Sequence, residues 1–250
     1  MQDAKINPVP NIITTLNLIS GCISISMAIQ GNYEIAAYLI LLSAVFDFLD
    51  GMSAKLLNAV SSFGKVYDSI VDIVSFGVAP SILMYQIMVM SLTYSDSTFN
   101  LESANFKENI IILSSFLLTV FAGIRLARFT ADTKERDYFR GMPTPASAII
   151  ISSLSIVLFT SEISTLQEFI LDSNRLLILN ICISILMVLN VPMLKMKFSN
   201  FRIKENLIKY IIIISSIVLL IVFQFAGIPL IILLYIILSI FNTLIKSPVD

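Results

Sequence analysis

Tyr210-Ile211-Ile212-Ile213-Ile214-Ser215-Ser216-Ile217-Val218-Leu219-Leu220-Ile221-Val222-Phe223-Gln224 runs without a single charge. Lipid-facing β-strands alternate in polarity over about ten residues, whereas this block is continuous. Similar apolar runs recur along the chain, each near the roughly 20 residues that a helix needs to cross a hydrocarbon core about 30 Å thick. Of 250 residues, 57% are apolar and 13% charged, against about 25% charged in soluble domains, and mean hydropathy is +0.91. Together these exclude a soluble domain and predict an all-α, polytopic membrane helix bundle.

Eight spans are expected, at 11–29, 34–57, 66–91, 107–129, 143–162, 174–193, 206–224 and 228–246. Between them lie Gly31-Asn32, the polar stretch 95–108, Gly141-Met142-Pro143-Thr144-Pro145, the basic stretch 195–209, and Gly227 before Pro229. Threading eight helices puts Lys5, Lys55, Lys65, Arg125, Arg128, Lys134, Arg136, Arg140, Lys195, Lys197, Arg202, Lys204, Lys209 and Lys246 on one side. Only Lys107 and Arg175 fall on the other, which collects Glu34, Asp96, Glu102, Glu108, Glu162, Glu168 and Asp172. By the positive-inside rule both termini are then cytoplasmic. The opening residues lack a cleavable leader pattern, so the first span is expected to direct insertion.

A net charge of −1 supplies no basic field for nucleic acid. The chain has no histidine, which removes imidazole bases, Ser-His triads and His metal sites. Cys22 and Cys182 sit in apolar runs and read as small buried side chains. The remaining chemistry belongs to carboxylates.

Phe46-Asp47-Phe48-Leu49-Asp50-Gly51, followed by Gly64, Asp68 and Asp72, puts four acids at the facing ends of consecutive helices. Asp47 and Asp50 are three apart and Asp68 and Asp72 four apart, so each pair lines one helix face, and an antiparallel hairpin brings the faces together. Each Asp taken singly is explicable as a cap or a partner of Lys55 or Lys65. Four at helical spacing call for neutralisation, and hard oxygen ligands suit Mg²⁺ or Mn²⁺. A cation-coupled transporter would distribute acids through the depth of several helices, whereas these four are confined to one end.

The run Asp47, Asp50, Gly51, Ala54, Lys55, Gly64, Asp68, Asp72 resembles the signature of the CDP-alcohol phosphotransferases, D-x-x-D-G-x-x-A-R, eight residues, then G-x-x-x-D-x-x-x-D. Every spacing fits, and Lys55 stands where the family has arginine, keeping the charge but losing the bidentate fork. The resemblance implies a displacement at the diphosphate of CDP-diacylglycerol, assisted by two Mg²⁺ or Mn²⁺ ions, with CMP leaving. It implies that Asp47 and Asp68 bridge both ions, that Asp50 completes one and Asp72 the other, and that Asp72 is the general base. Gly51 would admit the nucleotide or pack helices, Gly64 more naturally packs, and Ser61 falls where the family has a nucleotide-contacting hydroxyl. Asn11 and Thr14 match polar positions lining the cytidine site, and equally read as an N-cap and a backbone-bonded hydroxyl.

Gly123-Ile124-Arg125-Leu126-Ala127-Arg128-Phe129 and Phe139-Arg140-Gly141-Met142-Pro143-Thr144-Pro145-Ala146 look like the R-L-A-R-F and F-x-G-x-P-x-P-A elements of bacterial and archaeal phosphatidylserine synthases. That implies L-serine as acceptor, with glycerol 3-phosphate or inositol phosphate as alternatives. Arg125, Arg128 and Arg140 would hold the lipid phosphate or the serine carboxylate, or serve as topological anchors. Gly141, Pro143 and Pro145 would shape the loop and start the fifth helix. The likeness further implies a single domain over 1–250, with a catalytic core at 10–162 and extra spans at 174–246. A homodimer in a cell (inner) membrane, active site toward the cytoplasm, completes what it implies.

Overall fold

The computed structural model describes residues 8–131, 138–194 and 203–246, the side chains of 138–140, 203–205 and 243–246 excepted. Of the basic residues in the charge asymmetry, Lys5, Lys134, Arg136, Lys195, Lys197 and Arg202 lie outside the described residues. The chain is overwhelmingly helical, as its apolar runs require: lipid offers no partner for a free backbone N–H, so each span satisfies its own.

Helices α1 (Val9–Ile29) and α2 (Tyr33–Leu56) form a hairpin that turns at Gly31, where φ is +84°. Small residues join them. Ser20 Oγ donates to Leu39 O (2.9 Å), Ser24 Oγ to Ala36 O (2.7 Å) and Ser43 Oγ to Asn17 O (3.2 Å), which is how helices adhere where hydrophobic driving force is weak. Helix α3 (Ser62–Asp72) leads through a wide π turn, Ile73–Val78, into α4 (Ala79–Ser95). Pro80, in the first turn of α4, has no N–H for the carbonyl four residues back, a local reason for the i→i−4 ladder to loosen there. Ser62–Ser95 is the central post of the bundle, with Phe76, Leu83, Met84, Ile87 and Met88 fully buried.

Helix α1 touches that post at Gly21. A Cβ there would lie 2.5 Å from Ser75 Oγ and 3.0 Å from Ser75 Cα. Gly21→Leu therefore has to push α1 away from the post and break the Ser75 Oγ to Asn17 O bond (3.2 Å). Overpacking of this kind costs about 1–3 kcal/mol, so thermal unfolding in detergent should show a lowered Tm. An unchanged Tm would contradict this contact.

Helix α5 (Phe106–Leu113) begins with a capping box between Asn105 and Glu108 and continues through a 3₁₀ turn into α6 (Leu117–Ala131). Strand β1 (Tyr138–Arg140) precedes α7 (Thr144–Thr160), α8 (Ser164–Ile170) and α9 (Ser173–Val188). Strand β2 (Pro192–Leu194) comes next, then α10 (Ile203–Phe223) and α11 (Gly227–Lys246). At the last break Gln224 has φ +49°, and a Cβ on Gly227 would lie 2.5 Å from Leu219 O, so the chain doubles back tightly there.

By length and composition five helices among the described residues can cross a membrane: Val9–Ile29, Tyr33–Leu56, Ser62–Ser95, Phe106–Ala131 and Asn206–Asn242. The pair α8 and α9, bent by 60°, makes a sixth if taken as one span. The 206–242 stretch contains the Gln224 fold-back, and α7 is a shorter apolar helix of 17 residues.

Three expectations need correction. The helix expected at 174–193 ends at Val188, and residues 192–194 instead form β2, paired antiparallel with β1 through Phe139↔Met193. This small ladder is the one departure from an all-α fold among the described residues. Its cause is Gly141, whose φ of +71° turns the chain so that its N–H donates to Val191 O (2.9 Å). Pro143 caps α7 and Pro145 lies in its first turn, as expected of that loop. The third correction is that Cys22 and Cys182 are exposed and free, because apolar surface on a membrane helix faces lipid as readily as core.

Candidate active site

The four aspartates meet at one end of the bundle, Asp47 and Asp50 from the last turns of α2 and Asp68 and Asp72 from the last turns of α3. One carboxylate oxygen from each of Asp47, Asp50 and Asp68 lies within 4.8 Å of the others. Opposite ligands of an octahedral Mg²⁺, at bonds of about 2.1 Å, are about 4.2 Å apart, so small side-chain movements complete such a shell. Asp50 and Asp72 are 5% and 7% exposed. Asp50 Oδ2, Asp68 Oδ1 and Asp72 Oδ1 are buried without a hydrogen-bond partner from the chain. Buried anionic oxygens left unpaired are costly, and this hard donor set fits a divalent cation.

Three layers stack along this end. In the outermost, Asn11, Ser61 and Gly64 converge: Ser61 is the N-cap of α3, accepting from Gly64 N at 2.9 Å. A Cβ on Gly64 would lie 3.0 Å from Ser61 Oγ and 3.3 Å from Asn11 Oδ1. Asn11 is not a cap, since α1 starts at Val9 behind Pro8. In the next layer Thr14 Oγ1 donates to Pro10 O (3.0 Å) and stands within hydrogen-bonding reach of Asp50. The deepest layer holds Asp47 and Asp72, with the Arg125 guanidinium interacting electrostatically with both.

Arg125 reaches this position from α6. Its Nη1 donates to Thr144 Oγ1 (3.2 Å), itself fully buried at the start of α7, while its Nε has no partner from the chain. Arg128, one turn on, is exposed and donates instead to Val188 O at the end of α9 (3.3 Å). Arg125 and Arg128, one turn apart on α6, thus reach different neighbours, Thr144 on α7 and Val188 on α9. Arg140 ends β1, and its side chain lies outside the described part.

Gly51 is exposed, with nothing within 4 Å of where a Cβ would stand, so helix packing is not its role and the space beside it is open. Lys55 is exposed in the last turn of α2. Sequence reasoning missed Thr144 and Asn17. The latter is a fully buried amide on α1 whose Nδ2 and Oδ1 both lack partners from the chain. Its signal was present: an Asn well inside an apolar span, three residues beyond Thr14, is a polar residue placed at a cost.

Residues 7–222 match the CDP-alcohol phosphatidyltransferase family. The archaetidylserine synthase of Methanothermobacter thermautotrophicus is 36% identical over 169 residues, 66% of this chain and 66% of that protein. The CDP-diacylglycerol–serine O-phosphatidyltransferase of Helicobacter pylori is 31% identical over 217 residues, 84% of this chain and 81% of the relative. The Bacillus subtilis protein of the same name is 33% identical over 149 residues, 60% of this chain and 76% of its own. With the aspartate signature assembled into one site and the match extending over most of its length, the chain belongs to the CDP-alcohol phosphatidyltransferase family.

Proposed function

We propose that this protein transfers the phosphatidyl group of CDP-diacylglycerol to the hydroxyl of L-serine, giving phosphatidylserine and CMP. The observation that carries the reading is the convergence of the Asp47, Asp50 and Asp68 oxygens in a chain whose relatives described above are named for serine transfer. Asp47 and Asp68 would be shared between two divalent cations, Mg²⁺ or Mn²⁺, with Asp50 completing one shell and Asp72 the other. Bound there, such ions neutralise the diphosphate and stabilise its developing charge.

The chain's own groups supply the rest. Asn11, Thr14, Gly51, Lys55, Ser61 and Gly64 border the outer layers and receive the nucleotide; Lys55 offers a single compact charge rather than a fork. Asp72 takes the proton of the serine hydroxyl as that oxygen bonds to the lipid-linked phosphorus. The bond from that phosphorus to the bridging oxygen breaks, and CMP leaves with the electron pair. Arg125, in the layer of Asp72, holds the serine carboxylate or the lipid phosphate.

The same reading includes eight spans with both termini cytoplasmic, the 10–162 core with added spans at 174–246, a site facing the cytoplasm and a cell (inner) membrane location. It draws support from the basic residues at the aspartate end. A homodimer rests on the family alone.

The test is CMP release by detergent-purified protein given CDP-diacylglycerol and Mg²⁺ or Mn²⁺, with serine, glycerol 3-phosphate, inositol phosphate or no acceptor. Serine-dependent release is expected; release with another acceptor alone would overturn the serine assignment and leave the aspartate chemistry standing. In the same assay Arg125→Ala should lower kcat/KM by roughly 10- to 100-fold, the effect of losing a charge-assisted hydrogen bond worth about 1.5–3 kcal/mol. Arg128→Ala, which removes only the exposed bond to Val188 O, should stay within about threefold of wild type. Equal losses from the two would reject the separation of the pair.

A further inference from the structure

We propose that Asn17 belongs to the acceptor pocket, its amide holding the ammonium and carboxylate of a small amino alcohol beside Asp72. This rests on the transfer reading above and assigns it a residue that the aspartate signature does not contain.

The placement follows from the helix register. Asn17 O accepts from Ser43 Oγ of α2 and from Ser75 Oγ in the π turn, each at 3.2 Å, so the three helices are level at that point. Toward the aspartate end, Asp47 is one turn beyond Ser43 on α2, and Asp72 three residues before Ser75 on α3. Helical side chains lean toward the N-terminus of their own helix, and α1 begins at the aspartate end, so the Asn17 amide leans into the layer of Asp47, Asp72 and Arg125. Its floor is closed by the contact of Gly21 with Ser75.

Asn17 is fully buried, and neither end of its amide has a partner from the chain. Native proteins rarely leave both ends of a buried amide unsatisfied, and such groups point to a ligand, ion or water. Within this layer the other unpaired buried atoms are Asp72 Oδ1 and Arg125 Nε. An acid, a cation and a neutral amide with both donors and an acceptor match a molecule carrying an ammonium, a carboxylate and a hydroxyl. Asn17 Oδ1 accepts from the ammonium, Asn17 Nδ2 and Arg125 donate to the carboxylate, and the hydroxyl is left to Asp72. A phosphorylated acceptor, wholly anionic, would call for further cations where this layer has an amide.

The experiment compares wild type with Asn17→Ala and the near-isosteric Asn17→Asp in detergent, measuring KM for L-serine and for CDP-diacylglycerol separately by CMP release. Both variants should raise the serine KM at least tenfold while the CDP-diacylglycerol KM stays within about twofold. A thermal shift on adding CDP-diacylglycerol with Mn²⁺ should persist, showing that donor and metal sites survive. If either variant folds with an unchanged serine KM, or raises both KM values alike, Asn17 is not an acceptor residue. Should wild type show no serine-dependent release, the transfer reading fails together with this inference. Wild-type release with no serine-specific change in the variants overturns the inference alone.

Discussion

Asp72→Asn should lower kcat for CMP release by about 10³-fold or more, while the protein extracts, binds detergent and unfolds with a Tm no lower than wild type. Asparagine keeps the size of the side chain but cannot take a proton from the attacking hydroxyl, and a positioned general base contributes typically 10²–10⁴. Loss of one cation ligand adds to the deficit. Stability should not suffer: Asp72 is 7% exposed with Oδ1 unpaired, so the substitution removes a buried charge without opening a cavity. Steady-state kinetics beside a thermal melt make the measurement. Retention of more than a tenth of wild-type kcat would remove Asp72 from the role of base.

Stripping divalent ions with a chelator should abolish CMP release altogether, and adding Mg²⁺ or Mn²⁺ should restore it. The physical basis is the Asp47, Asp50 and Asp68 cluster: without cations, neighbouring carboxylates repel one another and no counter-charge meets the diphosphate. A second readout is independent of turnover. A ligand at 100 times its Kd stabilises the folded state by about 2.7 kcal/mol, which for a chain of this size is a Tm increase of about 5–10 °C. That increase should shrink in Asp68→Asn, whose carboxylate is one of the three converging ligands. Full activity in chelator, or an Mn²⁺-induced shift untouched by Asp68→Asn, would count against the cation site.

Much of the architecture was legible because its causes are local. In lipid a continuous apolar run has to be a helix, so Tyr33–Leu56 appeared within a residue of its expected bounds. Where a local rule met a long-range pairing, the expectation slipped: Met193 reads as the end of an apolar helix, yet it is drawn into a strand by Phe139. Cys22 and Cys182 misled for a related reason, since hydropathy in a membrane protein does not distinguish core from lipid.

The candidate site divides along the same line. That Asp47 and Asp50 share one helix face, and Asp68 and Asp72 another, was legible in the sequence from spacings of three and four, and the hairpin of the two helices brings the faces together. Which other side chains join them depends on how each helix is rotated and how closely it approaches, and that was decided only in the tertiary structure. Arg125 turns toward Asp72 while Arg128 turns toward Val188 O, although both lie in one short motif. Asn17 stands level with Ser43 and Ser75 because Gly21 lets α1 close on Ser75. Composition and spacing thus determined the helical membrane fold and the grouping of carboxylates on each helix, whereas interhelical contacts, which no local pattern encodes, brought those groups together and set Arg125 beside them.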